Sequence, residues 1–191
     1  MRSLLTFALI VPLLAGCASL SQEECKMGDW ASVGTNDAME GRTTARFEDH
    51  LKACAKYDIV PDQKLYNEGY QRGLITYCTP SNGFSVGRNG YSYQHICSPA
   101  SEPEFMRGFM RGSELHEVET EIAEKEREIS SLRRNREELM ANRDNPKAAK
   151  RLGSLRNEME DLKWDLSSLR FKRDRALLEA DRFLQSIDSD I

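Results

Sequence analysis

Five cysteines and three histidines are the residues of this 191-residue chain best suited to do chemistry. Cys17 stands apart near the start, while Cys25, Cys54, Cys78 and Cys97 are spread further along with His50 and His95 among them. Three chemistries could use such a set. A structural zinc site takes four ligands, usually from short ligand pairs. Here the gaps between the four later cysteines are 28, 23 and 18 residues and no C-x-x-C pair occurs, so no metal ligand is assigned. A cysteine nucleophile needs a histidine base within reach. Nothing in the local sequence sets a cysteine beside His50 or His95, and no catalytic residue is assigned. Disulfide pairing would consume all four thiols, and whether it occurs depends on the compartment.

The compartment is read from the first residues. MRSLLTFALIVPLLAGC carries one positive charge, Arg2, and then an apolar run from Leu4 to Ala15. Twelve residues make a helix of about 18 Å, too short for a hydrocarbon core of about 30 Å. The run therefore reads as the apolar region of an export signal. Leu14-Ala15-Gly16-Cys17 resembles a bacterial lipobox. That resemblance implies a diacylglycerol on the Cys17 sulfur, removal of residues 1–16 and acylation of the new amine, which makes the lipid bilayer a partner through Cys17. Several acyl chains on one residue exceed what stable anchoring needs. Ala18, in place of aspartate after the cysteine, points by the same resemblance to the outer membrane of a Gram-negative source. An ordinary signal peptide that ends near a cysteine is the alternative.

Export places Cys25, Cys54, Cys78 and Cys97 where disulfides persist. Four cysteines allow three connectivities. The preferred one pairs neighbours, Cys25 with Cys54 and Cys78 with Cys97, because the second bond would close a loop around an expected hairpin.

The elements that must hold these residues fall into four segments: the signal peptide 1–16, a lipidated N-terminus and tether 17–28, a small disulfide-stapled α-rich domain 29–103, and a helical hairpin 104–191. In the small domain, Gly34, Asp37 and Gly41 suggest a turn-rich connection after Asp29-Trp30. Thr44 to Tyr57 forms a helix with Phe47, His50, Leu51 and Cys54 on one face, and His50 there reads as a packed histidine. Asp62 caps a second helix that runs through Tyr77. Arg88-Asn89-Gly90-Tyr91 carries the Asn-Gly pair of a tight turn, so Pro80 to Tyr93 is expected to be a β-hairpin. Tyr66-x-x-Gly69-Tyr70-x-x-Gly73 and Phe105-x-x-Gly108-Phe109-x-x-Gly112 repeat one pattern. Its spacing of i, i+3, i+4 and i+7 is one helix face and not a phosphate-binding loop. Each interior glycine costs a helix about 1 kcal/mol, so a close approach is expected at Gly69, Gly73 and Gly108.

Asp29-Trp30, Gly34, Asp37, His50, Cys54, Tyr66-x-x-Gly69, Gly73-Leu74, Tyr77-Cys78, Gly83, Gly87, Gly90, Tyr93, Cys97, Phe105 and Gly108 together resemble the bacterial lipoprotein family catalogued as domain of unknown function number 2799. The resemblance covers about residues 25 to 115. It implies a surface-lipoprotein address and brings no activity, so it transfers no catalytic residue.

Beyond it, Leu115, Val118, Ile122, Ile129, Leu132 and Leu139 follow a heptad seam, and Leu152, Leu155, Met159, Leu162, Leu166 and Leu169 follow another. Asn145 suits a helix cap and Pro146 a first helical turn, whereas Pro146 inside one long rod costs about 3 kcal/mol. The two seams are therefore expected to fold back as an antiparallel coiled coil, with Leu132 facing Met159 and Ile122 facing Leu169. Lys125 and Arg136 can lie along the seam with their charges in water. Ser101-x-x-Glu104 is a candidate capping box for the first arm. The same register extended to the base sets Phe183 opposite Gly108.

The expected fold class is mainly α with a small β-hairpin: a disulfide-stapled domain followed by a two-helix coiled-coil hairpin. From Glu104 onward there are 20 acidic and 18 basic residues, and from Ala18 to Pro103 there are 11 and 8. Neither part offers the basic face a nucleic acid needs. No cofactor is implied. The functional expectation is an envelope lipoprotein acting as a structural or interaction module, with a protein partner or a second copy bound through the hairpin. A small exported enzyme or ligand binder with its site in 29–103 is the alternative.

Overall fold

The structure is a computed structural model that describes residues 19–141 and 143–188. The signal segment 1–16 and the lipidation candidate Cys17 lie outside the described residues. Seven α-helices occur among those residues: α1 Gln22–Met27, α2 Trp30–Met39, α3 Arg46–Ala55, α4 Gln63–Tyr77, α5 Pro80–Arg88, α6 Glu102–Met140 and α7 Pro146–Asp188. Most start where a short polar side chain meets the orphan amides of a first turn. Ser21 and Glu24 form a reciprocal capping box on α1. The carboxylate of Asp29 accepts from the amide of Ser32, and that of Asp62 from those of Lys64 and Leu65. Thr79 caps α5 ahead of Pro80, and the Asn145 side chain accepts from the Lys147 amide at the start of α7.

Three expectations for the small domain and its exit are corrected. No β-strand occurs among the described residues, and the hairpin expected over Pro80 to Tyr93 is instead α5 and its exit. Asn89-Gly90 ends a helix: Gly90 takes φ 70°, the Tyr91 amide donates to the Val86 carbonyl and the Gly90 amide to that of Gly87. These are the crossed bonds of a left-handed helix terminus, which wants the same Asn-Gly chemistry as a tight hairpin. Gly34 and Asp37 lie within α2 and not in a turn. Ser101 precedes α6 without capping it, because its side chain bonds to Ser98.

The small domain is two helix pairs built on one plan. In the first, α2 crosses α4 so closely that a Cβ on Gly34 would collide with the Tyr66 carbonyl, one on Gly69 with the Ala31 carbonyl, and one on Gly73 with that of Thr35. In the second, α5 crosses α6 in the same way, with Gly83 on the Phe105 carbonyl, Gly87 on that of Phe109, Gly108 on that of Pro80 and Gly112 on that of Phe84. Tyr66, Gly69, Tyr70 and Gly73 thus occupy the places that Phe105, Gly108, Phe109 and Gly112 take in the second pair. Each pair carries one disulfide, Cys25–Cys54 in the first and Cys78–Cys97 in the second. Each bond joins the stretch before the first helix of its pair to the stretch between the two helices.

The helices leave separate apolar clusters. Leu20, Trp30, Phe47, Tyr66 and Tyr70 surround the first disulfide, and Tyr77, Val86 and Phe105 surround the second. A third cluster runs along α6 and α7 from Leu115 and Ala176 to Leu132 and Leu155. Cross-links between Arg111 and Glu179 and between Lys125 and Asp165 show the two long helices antiparallel. Gly108 does not face Phe183. The α5 backbone fills the space over Gly108, and Phe183 instead lies 5.4 Å beneath the Arg107 guanidinium.

Candidate functional site

The chain's most concentrated polar chemistry is buried in the first helix pair. Asp37 sits in the last turn of α2, His50 in α3 and Tyr66 in the first turn of α4. One carboxylate oxygen of Asp37 accepts from the Tyr66 hydroxyl at 2.8 Å and meets His50 Nε2 at 2.7 Å. The other imidazole nitrogen, Nδ1, lies 2.9 Å from the Ser19 hydroxyl. His50 is 2% exposed and Asp37 7%. An ionised carboxylate only accepts, so His50 Nε2 carries a proton toward it. In a neutral imidazole Nδ1 then accepts from the Ser19 hydroxyl.

Packing sets the rest of the electrostatics. Burial, and next the Asp37 carboxylate that its hydroxyl faces, push the Tyr66 phenol far above its ordinary value. Burial and the same carboxylate push Tyr70 up to about 12, and its hydroxyl donates to the Arg42 carbonyl at 2.6 Å. Both tyrosines therefore act as fixed hydrogen-bond donors at neutral pH. The Phe47 ring, 4.8 Å from that of Tyr66, closes the cluster from one side.

Chemically, Ser19, His50 and Asp37 line up as a hydroxyl, an imidazole and a carboxylate. That is the order of an activated serine, although here the carboxylate holds Nε2 and the serine holds Nδ1. The same bonds also clasp Ser19 onto the core. Leu20 is buried beside them, and Cys25 is bonded to Cys54 in α3. Residues 19–28 are accordingly folded onto the domain and are not a free tether.

His95 is remote from this cluster and pairs with Glu102 at 2.9 Å near the surface. All four later cysteines are disulfide-bonded, so none stands beside a histidine as a thiol. Among the described residues no group of three His, Cys, Asp or Glu side chains is placed to hold a metal ion. Asp37 and His50 stood among the residues that carry the family resemblance, but their spacing alone did not bring them together. Ser19 had no sequence signal.

A second feature lies on the arm. Trp164, Phe171 and Leu178 recur every seven residues on α7 and are 79%, 68% and 58% exposed. They lie on the side of α7 opposite Leu162, Leu166 and Leu169, which are buried against α6. No helix among the described residues is long and apolar enough to cross a membrane.

Residues 29–114 match the model of a family described as "Protein of unknown function (DUF2799)". The matched segment runs from the cap of α2 to just past Gly112 in α6. It contains both glycine-locked pairs and the Asp37–His50–Tyr66 cluster, and most of the arm lies beyond it. No curated protein and no solved structure matches the chain.

Proposed function

From the membership of residues 29–114 in the DUF2799 family, a family with no assigned activity, we propose that this is a lipid-anchored envelope protein whose helical arm docks another protein chain. The observation that carries the reading is the row of Trp164, Phe171 and Leu178 on the outer side of α7. Large apolar side chains aligned on one exposed face mark an interaction surface, and aromatic residues are the usual anchors of such contacts. The buried Asp37, His50 and Tyr66 support it, because they bond to one another and to Ser19 of the N-terminal segment. The lipobox-like Leu14-Ala15-Gly16-Cys17 supplies the anchor in this reading, and the heptad seams make the arm an antiparallel coiled coil.

Two measurements test it in cells that express the full chain. Labelled palmitate should enter the wild type and not Cys17→Ser, and equal labelling removes the anchor. A photoreactive residue at position 171 should give an adduct of discrete mass that Trp164→Glu abolishes. A protein that stays unmodified under illumination removes the docking role.

One observation favours a second reading, a small exported hydrolase. The Ser19–His50–Asp37 chain of hydrogen bonds would serve an acyl-transfer nucleophile. A fluorophosphonate probe would then label Ser19 in the wild type and not in His50→Ala. The near-complete burial of His50 favours the clasp over this chemistry.

A further inference from the structure

The proposed docking surface has a symmetry that names its occupant. Phe171 stands midway between Trp164 and Leu178, seven residues from each. If two copies of α7 lie antiparallel about a twofold axis at Phe171, residue i of one meets residue 342 − i of the other. Trp164 then packs on Leu178 of the second copy, Leu178 on its Trp164, and the two Phe171 rings meet at the centre. A contact of this kind is self-complementary and closed, as a dimer interface must be.

The charges beside the stripe obey the same symmetry. Glu160 and Arg182 sum to 342 and lie close to the apolar row on the helix, so each meets its opposite in the second copy. On one flank, Arg170 comes beside Asp174 of the second copy and Lys163 beside its Asp181. The symmetry repeats each pair. The other flank brings Asp161 toward Glu179 of the second copy, but Glu179 is already paired with Arg111 and Arg175 of its own chain. The complementary groups already have exposed partners, Lys163 with Glu160, Arg170 with Glu126 and Asp174 with Arg173, so exchanging them costs little. A lipid surface would favour a row flanked by cations alone, and here acids and bases are interleaved. Ser167 and Ser168, between Trp164 and Phe171, are small enough for two helices to approach.

We propose that the protein pairs with a second copy of itself through the outer face of α7, antiparallel and centred on Phe171. This deepens the docking role proposed above and rests on it.

The test uses the full chain in its own envelope. Since Cys25, Cys54, Cys78 and Cys97 are disulfide-bonded and Cys17 carries the lipid in the proposed reading, Phe171→Cys adds the one free thiol, on the twofold axis. Mild oxidation should convert most of this variant to a species of twice the chain mass, seen on a non-reducing gel. Arg127→Cys, on the exposed side of α6, should remain monomeric under the same oxidation. Adding Trp164→Glu and Leu178→Glu to Phe171→Cys should lower the dimer at least tenfold. All these positions are exposed, so the fold is not at stake. A Phe171→Cys chain that stays monomeric overturns the proposal, and so does a dimer indifferent to the two glutamates. The photoreactive residue at position 171 separates the two claims. An adduct with a different protein overturns self-pairing and leaves docking in place, whereas an adduct with lipid, or none, overturns both.

Discussion

Gly69 of α4 rests directly on the carbonyl of Ala31 in α2, and a methyl group at Gly69 would occupy the oxygen's space. Gly108 of α6 stands in the same relation to Pro80 of α5. In both pairs the obstacle is backbone, which cannot rotate aside as a side chain can. Gly69→Ala and Gly108→Ala should each destabilise the protein by about 1–3 kcal/mol, the usual cost of overpacking. Gly153 on α7 has nothing within 4 Å of its missing Cβ, and Gly153→Ala should stabilise by up to about 1 kcal/mol. Thermal unfolding of the three variants tests both signs. Phe183→Ala should not relieve Gly108→Ala, since the ring does not fill that space.

Removing the shared acceptor tests the buried cluster. Asp37→Ala leaves the Tyr66 hydroxyl and His50 Nε2 without their partner. Two buried donors left unmade cost about 2–6 kcal/mol together. Ser19→Ala breaks only the outermost, half-buried bond and should cost under about 1.5 kcal/mol. Urea unfolding of both variants would rank them, and equal losses would contradict the geometry.

Alkaline pH should weaken the fold. Tyr70 titrates near 10 when unfolded and at about 12 in the native protein. The folded state therefore holds the proton more tightly. The stability from this group is complete below pH 10 and is lost as pH rises from 10 to 12. Tyr66 moves the same way. Unfolding midpoints measured across that interval should fall more steeply for the wild type than for Tyr70→Phe.

The two disulfides close loops with sequence separations of 29 and 19. Replacing either pair with serine should cost about 3 kcal/mol, and the longer Cys25–Cys54 loop about 0.4 kcal/mol more on chain entropy alone. Alkylation of the purified full chain followed by mass spectrometry should find none of the four as a free thiol. Calorimetry of the two paired replacements gives the ranking.

What the sequence revealed depended on how unambiguous each signal was. The two heptad seams persist over many turns, and Pro146 can only begin a helix cheaply, so the antiparallel arm was legible. The glycine pattern at Gly69 and Gly108 announced close approach. The same pattern at Gly83 and Gly87 is masked, because Phe84 and Val86 alternate as a strand would and Asn89-Gly90 is a turn signal in either setting. Gly34, Asp37 and Gly41 are turn-forming residue types, and nothing in that spacing sets Asp37 on a helix facing His50. The partnership with Ser19 is tertiary: three helices and the N-terminal segment must converge before those side chains meet.

The clasp around His50 bears on how the protein would stand on a surface. Ser19 is hydrogen-bonded to the core, and two residues of chain reach at most about 7 Å. If Cys17 carries the acyl chains proposed for it, the domain has almost no leash and sits as a bracket against the headgroups. Its tilt is then set by the fold and not by chain diffusion. The 43 residues of α7 make a rod of about 64 Å. On such a bracket the rod would hold Phe171 at a fixed standoff, so two anchored neighbours would meet in one plane, where confinement raises their effective concentration before any contact forms.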